Sequence, residues 1–310
     1  MKHENDNNLL CLLIGKGFAL DVYIPALISI GVKRIFIDKS LSEHKRTHLN
    51  KYNEYIIFVD IEDQKYKFFD YIILAVSPEK QYNYILNRKI IRNTNLLILE
   101  KPISSEPKLA IYISQILEDL KIKYLINYSF RYAFWNKELL KNIYTLTNTQ
   151  EVFLIWNFKA RHFINNKMTW KRFHSKGGGA IRLYGIHFIA MLADFGYSSV
   201  ESCNICFDYP NNLSFFSCSL KSTTELPRCI VSINTNSSKN EFSCYYKKNN
   251  NKIKLLDLNA PFPHIDRESN DDPRIAITKK LLEEGNFNFN NSNVLKLWER
   301  IEDKITAKET

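Results

Sequence analysis

Short runs of apolar residues alternate with segments of helical periodicity through the first part of the chain. A run without polar positions is typical of a strand covered on both faces of a parallel sheet. Strands that alternate with helices predict a doubly wound parallel sheet, which binds ligands at the carboxyl ends of its strands. The predicted strands are Leu9–Ile14, Ile35–Ile37, Tyr55–Val59, Tyr71–Val76, Leu96–Leu99 and Tyr124–Tyr128, and helical patterns cover Ile24–Ile28 and Leu109–Leu120.

The second part of the chain is rich in short β-type segments separated by Asn, Ser and Lys turns. It predicts an α+β domain with an open, largely antiparallel sheet, so the fold class is α/β with domains at 1–126 and 127–310. The helix Ala180–Phe195 interrupts the strands and ends at Gly196, a plausible C′ residue. Strands are predicted at 151–159, 199–208, 213–220, 228–235, 241–247 and 252–257, a last helix at Asn293–Ile305 with Ser292 as N-cap, and loops at 248–251 and 286–293.

Composition narrows the class of protein. A chain of 310 residues with 45% apolar residues is long enough for two domains. The net charge of +10 is spread along the chain without interleaved aromatics, so we expect no nucleic-acid partner, although the charge favours anionic ligands. The run Leu9–Ile14 is too short to span a membrane, and we expect a soluble cytoplasmic protein. Cys203 and Cys206 lie on a predicted strand with opposite orientations, which favours buried thiols over a metal site.

A glycine-containing turn follows the first predicted strand. Gly15 and Gly17 provide the tight turn and close backbone approach that a dinucleotide pyrophosphate requires, although Leu20 occupies the place of the third glycine. Asp38 ends the second strand, where a carboxylate accepts hydrogen bonds from ribose hydroxyls. Lys39 beside it could instead meet a 2′-phosphate, so both NAD and NADP stay open. The alternative is an ordinary glycine turn of an α/β protein.

Five segments, in this order, resemble the glucose–fructose oxidoreductase/inositol dehydrogenase family (Gfo/Idh/MocA). The resemblance implies an N-terminal Rossmann domain and a C-terminal domain whose sheet covers the active site and often makes the subunit contact, which would give a homo-oligomer. The segments are Ile14-Gly15-Lys16-Gly17 through Pro25-Ala26-Leu27, Ala75-Val76-Ser77-Pro78, Glu100-Lys101-Pro102, Asn127-Tyr128-Ser129-Phe130-Arg131, and Gly177-Gly178-Gly179 with Gly185-Ile186-His187.

The resemblance assigns chemistry to two side chains. Lys101 would hold or polarise the substrate oxygen, and His187 would carry the proton, a role that suits an imidazole near neutral pH. Glu100 would position Lys101 or the nicotinamide ribose. The alternatives are a solvated surface lysine and a core histidine. The cofactor-binding set consists of Gly15, Gly17, Phe18, Ala19, Asp38, Ala75, Ser77, Pro78, Glu100 and Lys101, and no metal is expected.

Two carboxylates that are usual in this family are absent near His187. Leu183 and Ala190 occupy their positions, and Tyr184 is the substitute hydroxyl donor. We therefore expect an NAD(P)-dependent oxidoreductase that acts on a sugar-like substrate. The basic net charge favours a nucleotide sugar or an acidic sugar as that substrate. The alternatives are a reductase of another small carbonyl or imine, and a catalytically silent cofactor-binding member with a structural or regulatory role. The predicted substrate contacts are Arg131, Arg161, Trp170 and Tyr184.

Overall fold

The computed structural model describes residues 9–42, 47–209, 211–248, 251–263, 271–285 and 291–309. These residues form two compact units. The first contains the described residues of 9–103, 113–127 and 271–285, and the second those of 104–112, 128–263 and 291–309. The chain therefore returns to the first unit near its C-terminal end. The predicted division at residue 126 stays a prediction.

A six-stranded parallel sheet forms the centre of the first unit, as the apolar runs predict. Its order is β3-β2-β1-β4-β5-β6, which reverses direction between β1 and β4. This reversal is the place where doubly wound sheets bind their ligands. The strands are β1 (Leu10–Gly15), β2 (Arg34–Asp38), β3 (Ile56–Val59), β4 (Phe69–Ala75), β5 (Thr94–Leu99) and β6 (Tyr124–Ile126).

The helices α1 (Ile24–Ser29) and α2 (Pro78–Asn87) follow β1 and β4. A single π-helical turn, Ala19–Tyr23, precedes α1. Helix α3 (Pro107–Asp119) confirms the predicted helix at 109–120. The helix α7 (Arg274–Glu284) packs against α1 and was not predicted, because only short apolar pairs mark it in the sequence.

The second unit contains a six-stranded mixed sheet of order β12-β11-β7-β10-β9-β8. Among the strands that the structure describes in this sheet, only β7 and β10 pair in parallel, so the predicted open and largely antiparallel sheet is confirmed. Alternating burial along β7 and β10 shows that one face packs on the core. The strands are β7 (Glu151–Lys159), β8 (Tyr197–Tyr209), β9 (Asn212–Ser222), β10 (Arg228–Asn234), β11 (Asn236–Lys248) and β12 (Asn251–Leu258).

The helices of the second unit correct two predictions. The segment 180–195 is not one regular helix, since Ala180–Gly185 forms a π-helical turn before α6 (Ile186–Phe195), which ends at Gly196 as predicted. The last helix, α8 (Asn291–Glu309), begins one residue before Ser292, which is therefore not the N-cap. Of the two predicted Asn-rich loops, 249–250 and 286–290 lie outside the described residues. The other helices are α4 (Asn136–Tyr144) and α5 (Arg161–Ile164).

Candidate functional site

The turn after β1 requires both of its glycines, for different reasons. A Cβ on Gly15 would lie 2.4 Å from the carbonyl oxygen of Ala75 and 2.8 Å from the Cβ of Ala19. Gly17 has a φ of +63°, and a Cβ there would meet no atom within 4 Å. Gly15 therefore permits close packing of β1 on β4, whereas Gly17 permits a left-handed turn that leaves open space for a ligand.

Phe18 stands directly after this turn and receives a contact that the sequence did not reveal. The guanidinium carbon of Arg274 lies 4.9 Å above the centre of the Phe18 ring, a cation–π distance. The carboxylate of Asp272 holds Arg274 through bonds of 2.8 Å to Nε and 2.5 Å to Nη2. An arginine of the unpredicted helix α7 is thus fixed beside the glycine turn.

The end of β2 carries Asp38, as predicted. Its Oδ1 accepts a hydrogen bond of 2.8 Å from the backbone N–H of Ser40, which fixes the carboxylate at the start of a short 3₁₀ turn. Lys39 instead forms an exposed ion pair of 2.8 Å with Asp60. The carboxylate of Asp38 therefore stands at the carboxyl end of β2, the end of a doubly wound sheet at which ligands bind.

The segment Glu100–Pro102 follows β5 and is held by a residue that the sequence analysis missed. Gln81, a buried residue of α2, donates through Nε2 to the carbonyl oxygens of Glu100 at 2.9 Å and Pro102 at 3.1 Å. The peptide between Lys101 and Pro102 is cis. Gln81 lies three residues after Pro78 on the buried face of the amphipathic helix α2, and this position was the sequence signal that could have identified it.

The side chain of Glu100 joins three parts of the first unit. Its Oε1 accepts hydrogen bonds from Tyr23 Oη at 2.7 Å and from Asn127 Nδ2 at 2.8 Å. Asn127 Nδ2 also donates to Tyr23 Oη at 2.9 Å, which closes a triangle. Burial raises the pKa of Glu100, while these donors and Lys101 oppose that shift. Glu100 thereby fixes the backbone beside Lys101.

Lys101 follows the carboxyl end of β5, which lies two strands from the glycine turn in the sheet order. The register aligns Gly15 with Ala75 and Leu74 with Leu99. Ser77 precedes α2 as its N-cap residue, and Pro78 is the first residue of that helix. The sheet therefore gathers the predicted cofactor residues of the first unit along one edge.

The three glycines before α6 have structural roles. Gly177 and Gly179 have positive φ values of 84° and 75°. A Cβ on Gly178 would lie 2.4 Å from the carbonyl oxygen of Trp170 and 2.5 Å from that of Lys171. The glycines thus bring the half-buried Trp170 segment against the start of the π-helical turn.

His187 and Tyr184 lie in different surroundings within the second unit. His187 is 3% exposed, and its ring stacks on Phe130 at 4.8 Å with a 20° interplanar angle. Tyr184 is half-buried and makes edge contacts with Trp156 at 5.6 Å and Phe158 at 4.9 Å. Burial raises the pKa of Tyr184, so its hydroxyl stays protonated and can donate a hydrogen bond.

Arg131, a predicted substrate contact, is engaged in contacts within the second unit. It is 7% exposed, and it forms a bidentate pair with Asp194 at 2.7 and 2.9 Å. Its Nη1 donates to Asn291 at 3.1 Å. These bonds engage all three guanidinium nitrogens in holding the fold, and the substrate role of Arg131 stays a prediction. Arg161 is exposed at the first residue of α5.

A second buried ion pair fixes the π-helical turn to α8. Arg182 pairs with both carboxylate oxygens of Glu302, and it donates to the carbonyl oxygens of Ser105 at 2.5 Å and His174 at 3.0 Å. Trp298 donates to Glu302 at 2.7 Å. Burial and the nearby Arg182 lower the pKa of His174 to about 4, while Glu302 opposes this shift. The turn that carries Tyr184 is thus firmly anchored.

Leu183 and Ala190, which replace the expected carboxylates, are both buried. In the described residues, no group of three or more His, Cys, Asp or Glu could hold a metal ion. Within the same residues, no helix has the length and apolar character required to cross a membrane. Cys203 is buried and Cys206 exposed, so the opposite orientation is confirmed, whereas the prediction of a buried thiol was wrong for Cys206.

Comparison with solved structures defines the class of the fold. Over nearly its whole length the chain has the fold of Gfo/Idh/MocA-type NAD(P)-dependent dehydrogenases, as the sequence resemblance predicts. No protein-family profile matches the sequence, and no curated protein matches it.

Three solved structures illustrate the likeness. The WlbA dehydrogenase from Bordetella pertussis, in complex with NADH and UDP-GlcNAcA, has a TM-score of 0.70 at 12% identity, covering 98% of this chain and 97% of its own. KijD10, a 3-ketoreductase from Actinomadura kijaniata in complex with NADP and TDP-benzene, has a TM-score of 0.67 at 10% identity, covering 97% and 98%. A super-repressor mutant of Gal80p from Saccharomyces cerevisiae has a TM-score of 0.74 at 13% identity, covering 97% and 96%.

Proposed function

We propose that this protein is a nicotinamide-dependent oxidoreductase of the Gfo/Idh/MocA family. It transfers hydride between the nicotinamide and a sugar-like carbinol or carbonyl carbon. The observation that carries the proposal is the edge of the first sheet, where the Gly15–Gly17 turn, Asp38 and Lys101 follow the ends of β1, β2 and β5. Similar folds crystallised with NADH and NADP support it.

The residues at this edge fit a dinucleotide. The open space above Gly17 suits the pyrophosphate, and Asp38 suits the adenosine ribose. We propose NAD as the preferred cofactor, because Asp38 would repel a 2′-phosphate and Lys39 is paired with Asp60. Bound NAD would supply the hydride acceptor at its nicotinamide. Glu100 and Gln81 would hold the Lys101 backbone in place during the reaction.

We assign the substrate oxygen to Lys101, whose ammonium can stabilise developing negative charge on an alkoxide. The proton would pass through Tyr184 or His187, and the greater exposure of Tyr184 favours the tyrosine. Trp170 would form a wall of the substrate site, and Arg161 would contact an anionic substituent. The net charge of +10 supports a nucleotide sugar or acidic sugar as the substrate class.

Calorimetric titration with NAD(H) and NADP(H) tests the cofactor assignment. We expect NAD(H) to bind more tightly than NADP(H), and Asp38→Ala to weaken NAD(H) binding while reducing the difference between the two. Arg274→Gln should also weaken binding, because its guanidinium lies beside the turn. The absence of any binding at millimolar concentration would contradict the assignment.

Steady-state turnover on a panel of sugars and nucleotide sugars tests the chemistry. Lys101→Met should reduce kcat by roughly 10²–10³-fold or more while cofactor binding survives, as for loss of a positioned donor to an oxyanion. Lys80→Met, which changes an exposed lysine of α2, is the matched control and should be active. A fully active Lys101→Met enzyme would refute the assignment.

Separate substitutions of Tyr184 and His187 test which of the two residues carries the proton. If Tyr184 carries the proton, Tyr184→Phe should reduce kcat by roughly 10²-fold, and His187→Gln should cost less. The reverse order would assign the role to His187. A ternary crystal structure with Lys101 Nζ and both of these side chains more than about 10 Å from the reacting carbon would contradict the whole arrangement, since proton transfer requires hydrogen-bond contact.

A second candidate is a silent, cofactor-binding protein with a regulatory role. The apolar Leu183 and Ala190 favour it, as does the similar fold of the Gal80p super-repressor mutant. Leu183→Asp discriminates the two, because gained turnover on common sugars would indicate that the natural chain has lost catalysis. If wild-type protein binds cofactor but turns over no member of the panel, the silent role is the better assignment.

We also propose a homo-oligomer formed through the second sheet. Phe207 of β8 and Ile253 of β12 are large apolar side chains exposed on it. Light scattering after size-exclusion chromatography tests this proposal, and Ile253→Lys should shift an oligomer towards monomer. A monomeric wild-type protein at high concentration would refute it.

A further inference from the structure

Two of the six cysteines lie opposite each other on β8 and β9, the last two strands of the second sheet. Cys203 of β8 is the register partner of Cys218 of β9, and both are 1% exposed. Their sulfur atoms lie 3.0 Å apart. Cys229 and Cys244 are also buried, but they lie on β10 and β11 opposite Leu220 and Leu154. Among the described register partners of these strands, Cys203 and Cys218 are thus the pair in which a cysteine faces a cysteine.

The backbone geometry at this pair fits a covalent link. Residues directly opposite in an antiparallel pair have Cα atoms about 4.5–5.5 Å apart, which falls inside the range of about 4.4–6.8 Å found for disulfides. Opposite residues also point to the same face of the sheet. A bond of about 2.05 Å requires the sulfurs to approach by only about 1 Å. A movement of this size is within the reach of side-chain rotation.

We propose that Cys203 and Cys218 form a reversible intrachain disulfide. The oxidant is a small-molecule disulfide such as oxidised glutathione. The thiolate of one cysteine attacks it and releases one reduced glutathione. The second cysteine then displaces the other glutathione, so that one S–S bond forms in the protein, two thiol protons are lost and two molecules of reduced glutathione leave.

The surroundings determine when this exchange occurs. The hydrogen bond with Cys203, together with burial, raises the pKa of Cys218, so the folded protein holds little thiolate there. Small molecules also have little access to either sulfur. However, β8 is an edge strand, and its separation from β9 would expose both cysteines. Oxidation should therefore be fast during refolding and slow in the native state.

Such a link would keep the edge strand paired. The two cysteines are 15 residues apart in sequence, so the disulfide closes the β8–β9 hairpin. Strand β8 also contacts α8, the helix that carries Glu302. Oxidation should thus raise Tm and slow amide exchange in β8 and β9, without requiring that the protein bind any cofactor. The inference is independent of the proposed function.

Refolding of the reduced, denatured chain in oxidised and reduced glutathione tests the proposal. Thiol titration should find four of the six cysteines free, and peptide mapping without reductant should link Cys203 to Cys218. Cys229→Ser is the matched control and should keep this link. Cys203→Ser and Cys218→Ser should each abolish it and the gain in Tm. Six free thiols in a chain with native circular dichroism, or a link between other cysteines, would overturn the proposal.

Discussion

The buried pair of Arg131 and Asp194 decides whether this arginine supports the fold or binds substrate. Three guanidinium nitrogens are hydrogen-bonded in a site where Arg131 is 7% exposed. Arg131→Met removes the charge partner of Asp194, whose side chain is only 16% exposed. Removing one member of a buried pair costs about 3–5 kcal/mol, so we expect the free energy of unfolding to fall by about this amount.

The titration of Asp194 should make the destabilisation by Arg131→Met depend on pH. Burial raises the pKa of Asp194, and Arg131 lowers it. Without the arginine the pKa rises further, and a protonated carboxyl is less costly to bury. The destabilisation relative to wild type should therefore be largest at neutral pH and shrink as the pH falls. As the pH falls, Asp194 in the folded variant binds a proton at a pH where the unfolded chain, whose pKa is lower, does not yet bind one, and this uptake stabilises the folded state.

Urea unfolding between about pH 5 and 8 measures both effects. The double variant Arg131→Met/Asp194→Leu should recover much of the lost stability, since apolar replacements of a buried pair are often tolerated. Arg161→Met changes an exposed arginine of the same unit and should stay within about 0.5 kcal/mol of wild type. If Arg131→Met unfolds like wild type but loses activity, the structural reasoning is wrong and the predicted substrate role is supported.

Three further predictions concern stability. His174 should lower the stability of the fold as the pH falls from about 6.5 to about 4, because the unfolded chain binds a proton there that the folded histidine does not bind. His174→Gln should remove up to roughly 3 kcal/mol of that pH dependence in urea titrations. An unchanged slope of the unfolding free energy against pH would contradict the prediction. Gly15→Ala should destabilise the fold by about 1–3 kcal/mol through steric overlap, whereas Gly17→Ala should cost about 1–2 kcal/mol because of the positive φ at that position. Gly17→Asn should be more stable than Gly17→Ala, because Asn tolerates a positive φ. Equal loss of stability for Ala and Asn at position 17 in thermal unfolding would contradict this reasoning. Tyr23→Phe should cost about 1–3 kcal/mol by removing a donor to Glu100, and unchanged stability with unchanged cofactor affinity would show that the triangle is dispensable.

The sequence predicted the first sheet well because its central strands, such as β1 and β5, are buried on both faces. Short apolar runs such as Leu96–Leu99 are typical of buried parallel strands, and Ser77-Pro78 and Lys101-Pro102 mark where two of the strands have ended. The same logic located the glycine turn and Asp38. These features are local, so a window of a few residues contains the physical information that determines them.

Features that depend on distant partners could not be predicted. The regular helix expected at 180–195 begins with a π-helical turn, and Arg182 within it pairs with Glu302, 120 residues away. Asp194 gives Arg131 its structural role through a pairing across 63 residues. No local pattern encodes these contacts. The individual roles assigned to Lys101 and Tyr184 remain predictions that await the variants described above.

The return of the chain to the first unit has a consequence for biosynthesis. Helix α7 packs on α1, and Arg274 covers Phe18 beside the glycine turn, yet β6 ends at Ile126. A ribosome that adds about 5–20 residues per second needs roughly ten to thirty seconds more to deliver α7. During that interval the nascent sheet has its six strands but lacks one of its covering helices. A fragment cut near residue 126 would hold this incomplete state permanently, so the first unit should mature only after α7 has been translated.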